Sequence, residues 1–423
     1  MKPKLARILV LLILLLALIS GWLLMMIPDD NAEAIAALER GDKKEAFTLY
    51  KTAAQKGDRL AQTELGIMYN RGTGTLKNQK EAFKWLSKAA EGGQGRAQYY
   101  LAHMYSNGYG TGRDPHKALF WYQKAADKGI EAAYLPLGLL HLTGNGPEGD
   151  VEIDSAGLNG QVTLELSGEL SSQALLPEIN PPEINQGEII QGETSPMGGQ
   201  NTSLSVTDDS PLVPVTTDPQ AAFPWLKKAA ELGRPEAEYL LGQLYQKGEG
   251  LPKKNTPEEN IEQALLWYER AARSTHVDAQ HALAQLFDER GTDQENQSNA
   301  FRWYQQAANQ GHPRAQYRLG TFYRDGRGTL PNDWQAATWF SNAAGRGHLE
   351  AQFALGELYQ GQNELGPDYT KAYMWFGIAT LNGHEEALER KNVVSRHLQP
   401  EARAAAEKLI ADWQESSKKA GGN

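Results

Sequence analysis

Residues His116–Gly129 read HKALFWYQKAADKG: an alanine, two adjacent aromatics, a basic residue, paired alanines and a glycine. The phrase returns as EAFKWLSKAAEGG from Glu81, AAFPWLKKAAELG from Ala221, QALLWYERAARST from Gln263, NAFRWYQQAANQG from Asn299, QAATWFSNAAGRG from Gln335 and KAYMWFGIATLNG from Lys371. A phrase that returns at a regular step is architecture, because stacked units place equivalent residues in a ladder rather than around one centre.

Each copy reads as a helix. Ala118, Trp121, Tyr122, Ala125 and Ala126 fall at i, i+3, i+4, i+7 and i+8, one apolar stripe, and Gly129 supplies the left-handed residue that ends it. A first helix precedes each copy: in AQTELGIMY from Ala61, residues Ala61, Leu65, Met68 and Tyr69 share a face. Gly66, matched by Gly138, Gly242, Gly320 and Gly356, removes a side chain where the second helix presses close. The opening alanine recurs at Ala61, Ala97, Ala133, Ala237, Ala279, Ala315, Ala351 and Ala387, mostly at steps of 36 residues. The step from Ala237 is 42 because LPKKNTPEEN lengthens a loop, and the step from Ala133 carries a large insertion.

Trp85, Trp121, Trp225, Trp267, Trp303, Trp339 and Trp375 hold one repeat position, with Leu49 in their place in an imperfect opening unit. One per unit, they read as core packing rather than a ligand cage. A fully buried tryptophan covers about 150–250 Å², and its loss to alanine costs about 3–5 kcal/mol.

AQYYLAHMYSNGYGTGRDPHKALFWYQKAADKG and its copies resemble the Sel-one-like repeat, the longer-loop cousin of the tetratricopeptide repeat, over roughly 61–142 and 218–387. AIAALERGDKKEAFTLYKTAAQKG, within 30–60, is similar to a tetratricopeptide-like unit, and RKNVVSRHLQPEARAAAEKLIADW, within 388–415, to the capping helices of such arrays; 416–423 reads as a disordered tail. The resemblance implies an all-α, right-handed α/α solenoid serving as an adaptor or scaffold, commonly in bacterial envelope assembly, secretion or exopolysaccharide systems.

Composition sets limits. The 423 residues contain no cysteine, which excludes disulfides, thiolate nucleophiles, Cys-ligated metals and a lipidated N-terminal cysteine. The net charge of −10 argues against nucleic acid as a partner. That charge is concentrated: residues 143–217 hold twelve Asp and Glu and no Lys or Arg, so by difference the remainder carries +2. Most of this insertion, rich in Pro and Gly, reads as disordered, while VEIDSAGLNGQVTLELSG carries a hairpin signal around Asn159-Gly160. At the N-terminus, Lys2, Lys4 and Arg7 in the short segment 1–7 precede an uncharged apolar run over 8–27. That length suffices for a bilayer, and it exceeds the h-region of a cleaved signal. The segment reads as a transmembrane signal anchor in the bacterial inner membrane, single-pass, with the array in the periplasm.

The residues that resemble chemistry read as structure. GTGTLK from Gly72, GYGTGRD from Gly108 and GRGTLPND from Gly326 join helix to helix, where a phosphate loop would need a preceding strand. His276, His312, His348 and His384 share one repeat position just before a first helix, so a repeat width separates them; His312-Pro313 reads as a helix start. No HExxH or Ser/His/Asp elbow is present, and no cofactor or metal is expected.

The expected function is a non-enzymatic, membrane-anchored scaffold for other envelope or membrane proteins. Its alternatives are an envelope hydrolase or polysaccharide-binding protein on the same solenoid, or a cytoplasmic-facing signalling adaptor. The candidate partner groove lies two, six and nine residues after each marker alanine, on the helix that lines the inner curve of related solenoids. It holds Tyr99, Tyr239, Tyr317 and Phe353, then His103, Gln243, Thr321 and Glu357, then Gln246 and Arg324. The aromatics there have two readings, anchors for a partner or packing against the adjacent repeat.

Overall fold

The computed structural model describes residues 30–144, 151–152, 165–166, 215–252 and 255–420. The expected anchor and most of the insertion lie outside them; among the described residues no helix is long and apolar enough to cross a membrane.

The chain divides into two units, Met1–Asp218 and Pro219–Asn423. The first contains α1 (Asp30–Glu39), α2 (Lys43–Gln55), α3 (Arg59–Arg71), α4 (Gln79–Glu91), α5 (Gly95–Asn107), α6 (Pro115–Asp127) and α7 (Tyr134–Thr143). The second contains α8 (Pro219–Glu231), α9 (Pro235–Lys247), α10 (Pro257–Arg273), α11 (Val277–Arg290), α12 (Gln294–Asn309), α13 (Pro313–Asp325), α14 (Asp333–Gly345), α15 (Leu349–Gln360), α16 (Tyr369–Leu381), α17 (Ala387–Ser395) and α18 (Pro400–Ala420). Within each unit a helix packs chiefly on its sequence neighbours, so each is a stack of helix pairs. Of the hairpin signal, the described residues contain one short antiparallel pairing, β1 (Val151–Glu152) with β2 (Glu165–Leu166) in the register Val151↔Leu166. The last helix runs past the expected end at 415, to Ala420. α7 is preceded by a 3₁₀ turn, Glu131–Ala133, since Pro136 has no amide to offer the carbonyl four residues back.

Short polar residues start these helices. Asp42, Asp58, Asn78 and Asp114 accept a hydrogen bond from the amide three residues on, as do Asp293, Asn332 and Asp368, and Thr256 forms a reciprocal box with Glu259. Each such cap contributes about 1 kcal/mol. Glycines end the first helices: Gly72 and Gly326 have φ of 76° and 68°. The second glycine of each GxG loop has a further role. A Cβ on Gly74, Gly110, Gly250 or Gly328 would lie 2.0, 2.1, 2.3 or 2.5 Å from the carbonyl oxygen of Lys43, Gln79, Pro219 or Gln297. The loop therefore rests directly on the opening turn of the preceding second helix, and these glycines are the interhelical turns the sequence implied.

Within a pair the helices meet ring against glycine. A Cβ on Gly242, Gly320 or Gly356 would stand 2.6 Å from the ring of Tyr268, Phe340 or Phe376, and one on Gly66 would stand 2.6 Å from Leu86. Ala102 and Ala284 take this place in two other pairs, and both are fully buried. The facing residue is always the one after the repeat tryptophan. This corrects the expected depth of the tryptophans. Trp267 and Trp375 are buried, whereas Trp85, Trp121, Trp225, Trp303 and Trp339 are half-buried. The closed positions belong to Tyr122, Tyr268, Tyr304, Phe340 and Phe376.

Between pairs a buried glutamine joins one repeat to the next. Gln62, Gln98, Gln280, Gln316 and Gln352 each donate Nε2–H to a carbonyl near the end of the preceding second helix, that of Ala54, Ala90, Ala272, Ala308 or Ala344, at 3.1–3.3 Å. Each of these carbonyls also accepts a backbone amide from the turn that follows its helix, so the glutamine takes up the second lone pair. At the equivalent place Glu238 stands instead, and Arg270 substitutes as donor, reaching the Ala230 carbonyl at 3.3 Å and Glu238 at 3.0 Å.

Two measurements test this packing. Alanine in a helix interior is ordinarily worth about 1 kcal/mol over glycine. Overpacking a closed core costs about 1–3 kcal/mol. Gly320→Ala should therefore lower the urea midpoint read by circular dichroism, and Phe340→Leu in the same chain should restore part of the loss. Tyr304→Ala should destabilise by about 3–5 kcal/mol, and Trp303→Ala by clearly less, reversing the order that full burial of the tryptophan would give.

Candidate interaction surface

The residues two positions after the marker alanine form ring stacks across the junctions between repeats. Tyr239 stacks on His276 (centroids 4.8 Å), His281 on His312 (4.4 Å), Tyr317 on His348 (4.8 Å) and Phe353 on His384 (4.0 Å). The other side of each ring meets the residue that closes its own pair: Tyr268, Tyr304, Phe340 and Phe376 lie 5.4–5.9 Å away. Of the two readings left open for these aromatics, packing against the adjacent repeat describes what they do. Tyr239, Tyr317 and Phe353 nevertheless keep partial exposure, whereas Tyr99, beside Tyr122, is 1% exposed and is not part of a surface.

Three of the shared histidines, His276, His312 and His348, stand at the N-cap of a first helix, whereas His384 precedes the N-cap Glu386. Nδ1 of His276 accepts from the Ala279 amide at 3.2 Å, and Nδ1 of His312 from Ala315 at 3.1 Å. A ring nitrogen that accepts carries no proton, so the neutral ring holds its proton on Nε2. It then faces Glu236 at 2.7 Å in the first case and Asp278 at 3.3 Å in the second. Among the described residues no group of three or more His, Cys, Asp or Glu is placed to hold a metal ion.

The other groove candidates divide in two. His103 and Thr321 are buried; Asn107 Nδ2 lies 3.2 Å from His103 Nδ1, and the Thr321 hydroxyl donates to the Arg318 carbonyl at 2.6 Å. Gln243, Gln246, Arg324 and Glu357 reach solvent. Gln243 donates to the Tyr239 hydroxyl at 2.7 Å, Gln246 accepts from Tyr268 at 2.8 Å, Arg324 pairs with Asp325 at 2.7 Å, and Glu357 lies 3.8 Å from Arg390. An ionic node that periodicity does not reveal lies beside this row, where the buried carboxylate of Asp288 is clasped by Arg318 and Arg327 of the next repeat.

Perturbed titrations in this row follow burial rather than a reactive cleft. Burial pushes the Tyr268 and Tyr304 hydroxyls up, so both stay protonated. It also pushes up the Glu238 carboxyl, which Arg270 opposes. Burial depresses His348, and it lowers His281 to about 3, helped by His312, Arg314 and Arg318 and opposed by Asp278. A histidine held neutral in the folded state and free to titrate near 6.5 when unfolded gives stability that is complete above about pH 6.5. Below that the unfolded chain binds a proton the folded chain refuses, so stability falls as pH drops toward about 3. His281→Gln should flatten this limb of a plot of Tm against pH; an unaltered slope would place the acid sensitivity elsewhere.

The Sel1 repeat family model matches residues 36–58, 59–94, 95–130, 211–233, 235–276, 277–312, 313–348 and 349–384. The match includes the opening unit, and 211–233 supplies the second helix that follows the insertion. No curated protein matches. Among solved structures, the chain is similar to a protective antigen present in uropathogenic Escherichia coli strains, described as displaying an SLR fold. The TM-score is 0.63 at 25% identity, over 91% of this chain and 68% of that one. It is also similar to a Sel1 repeat protein from Oxalobacter formigenes, with a TM-score of 0.52 at 26% identity, over 85% of this chain and 88% of that one. With helix pairs, glycine loops and repeat boundaries in agreement through most of its length, the chain belongs to the Sel1 repeat family.

Proposed function

We propose that this protein is a non-enzymatic scaffold that binds other envelope proteins along its row of first helices, tethered to the bacterial inner membrane by 8–27 with the array in the periplasm. The observation that carries the reading is the row itself. Half-buried rings (Tyr239, Tyr317, Phe353) stand among solvent-reaching amide and charged groups (Gln243, Gln246, Arg324, Glu357). Tyrosine and arginine are favoured anchors at protein interfaces, and rings already immobilised by stacking lose little further freedom on binding. The tether rests on the apolar run and on the basic residues before it.

Fusing a periplasm-active reporter after Asn423 tests the topology: activity is expected, and a reporter that works only in its cytoplasmic form reverses the orientation. Crosslinking from membranes tests the surface. Replacing Arg324, whose side-chain partner is the neighbouring exposed Asp325, by alanine should weaken partner capture about tenfold, a loss of about 1.4 kcal/mol, with Tm unchanged. Full capture by this variant would move the contacts off the row.

A further inference from the structure

Four junctions between repeats share a second aromatic contact, while Leu265 takes the phenylalanine position at another. Two residues before the repeat tryptophan position, the second helix presents a ring to the tyrosine eight residues after the next marker alanine. Phe47 meets Tyr69, Phe83 meets Tyr105, Phe223 meets Tyr245 and Phe301 meets Tyr323, all edge-on, at 5.2, 5.4, 5.7 and 5.3 Å. At the next junction after Phe301 the tyrosine is present as Tyr359, but Ala337 stands where the phenylalanine belongs.

The Tyr105 junction shows what is missing. There Lys117 lies over the Tyr105 ring at 5.3 Å and pairs with Asp114 at 2.9 Å, with Phe83 completing the contact. At Tyr359 the same cation and carboxylate recur: Lys371 lies over the ring at 5.0 Å and pairs with Asp368 at 3.3 Å. Beside Ala337 is an open cleft of about 210 Å³, lined by Ala337, Tyr359, Leu365 and Trp334 together with polar groups that include Asp368 and Lys371. Next in sequence to Leu365 and Trp334, the Glu364 amide donates to Asp333 at 3.1 Å. A cavity of about 150 Å³ is enough to take up benzene. Trp334, outside the repeat tryptophan position, stands 61% exposed at this cleft. An exposed tryptophan beside a vacated ring position is a wall without its occupant.

We propose that this cleft receives an aromatic side chain, Phe or Tyr, from a partner polypeptide, seated edge-on to Tyr359 as Phe83 is to Tyr105 and covered by Trp334. The proposal rests on the scaffold reading above and names one contact by which a partner is held. The ring completes a packing arrangement the fold makes four times with its own residues, so the site is shaped before the partner arrives.

The test uses the detergent-solubilised full chain and saturation-transfer NMR, with N-acetyl-phenylalaninamide as probe and N-acetyl-leucinamide and a methyl glucoside as comparators. Transfer to the phenyl protons at millimolar probe, stronger than to either comparator, is expected. It should disappear in Ala337→Phe, which seats the ring in cis and should hold or raise Tm, and in Trp334→Ala, a surface change that leaves Tm unaltered. No transfer in the wild type, equal transfer in both variants, or preference for the glucoside overturns the proposal. Membrane partners captured equally by wild type and Trp334→Ala would leave the scaffold reading standing and sink this one alone.

Discussion

The helix pair exists because a ring lies flat against a place with no side chain. Tyr268 on Gly242, Phe340 on Gly320 and Phe376 on Gly356 bring two helices closer than any larger residue allows, and Ala102 and Ala284 mark the upper size limit. That distance decides which residues of the first helix face inward. It also leaves a fixed margin at the edge of the pair, where the next repeat has to begin.

Three different chemistries then use that margin. A glutamine amide reaches a carbonyl at the end of the preceding helix, a ring stacks on the histidine that starts the next first helix, and a glycine loop lies on the opening turn of the preceding second helix. Since apolar burial is non-directional while a buried amide bond has to be made or its loss is costly, the glutamine fixes register where packing alone would not. The Glu238 junction shows that the bond, rather than the residue, is what is retained: the donor is lost from one helix and Arg270 provides it from another.

How much of this was legible follows from the range of each interaction. Helix pairs, period, glycine turns and the His312-Pro313 start are local patterns, readable within a dozen residues. The depth of the tryptophan was misjudged because Trp and the residue after it sit at i+3 and i+4 of one stripe, and periodicity cannot say which lies nearer its centre; the glycine on the facing helix does. The role of Tyr239, Tyr317 and Phe353 stayed open because its answer lies in a histidine some 30 residues on, in another repeat. Gln316 and its equivalents were passed over because an amide reads as surface, although its return directly after the marker alanine in five units was the available signal.

An array built by one rule distinguishes its members only through departures from it. Ala337 breaks the ring pairing kept at four other junctions, Glu238 breaks the glutamine bond, and the insertion breaks the period. These departures differ in what repairs them. Arg270 restores the missing donor within the chain, and the framework without 143–217 is close to neutral, so the acidic charge of the insertion is not balanced by an equal surplus elsewhere. At Ala337 the tyrosine, the lysine and its carboxylate are retained as though the ring were still to come. A departure that keeps its tyrosine, lysine and carboxylate around an open cleft leaves room in the isolated chain, and a side chain from outside is the simplest thing that fills it.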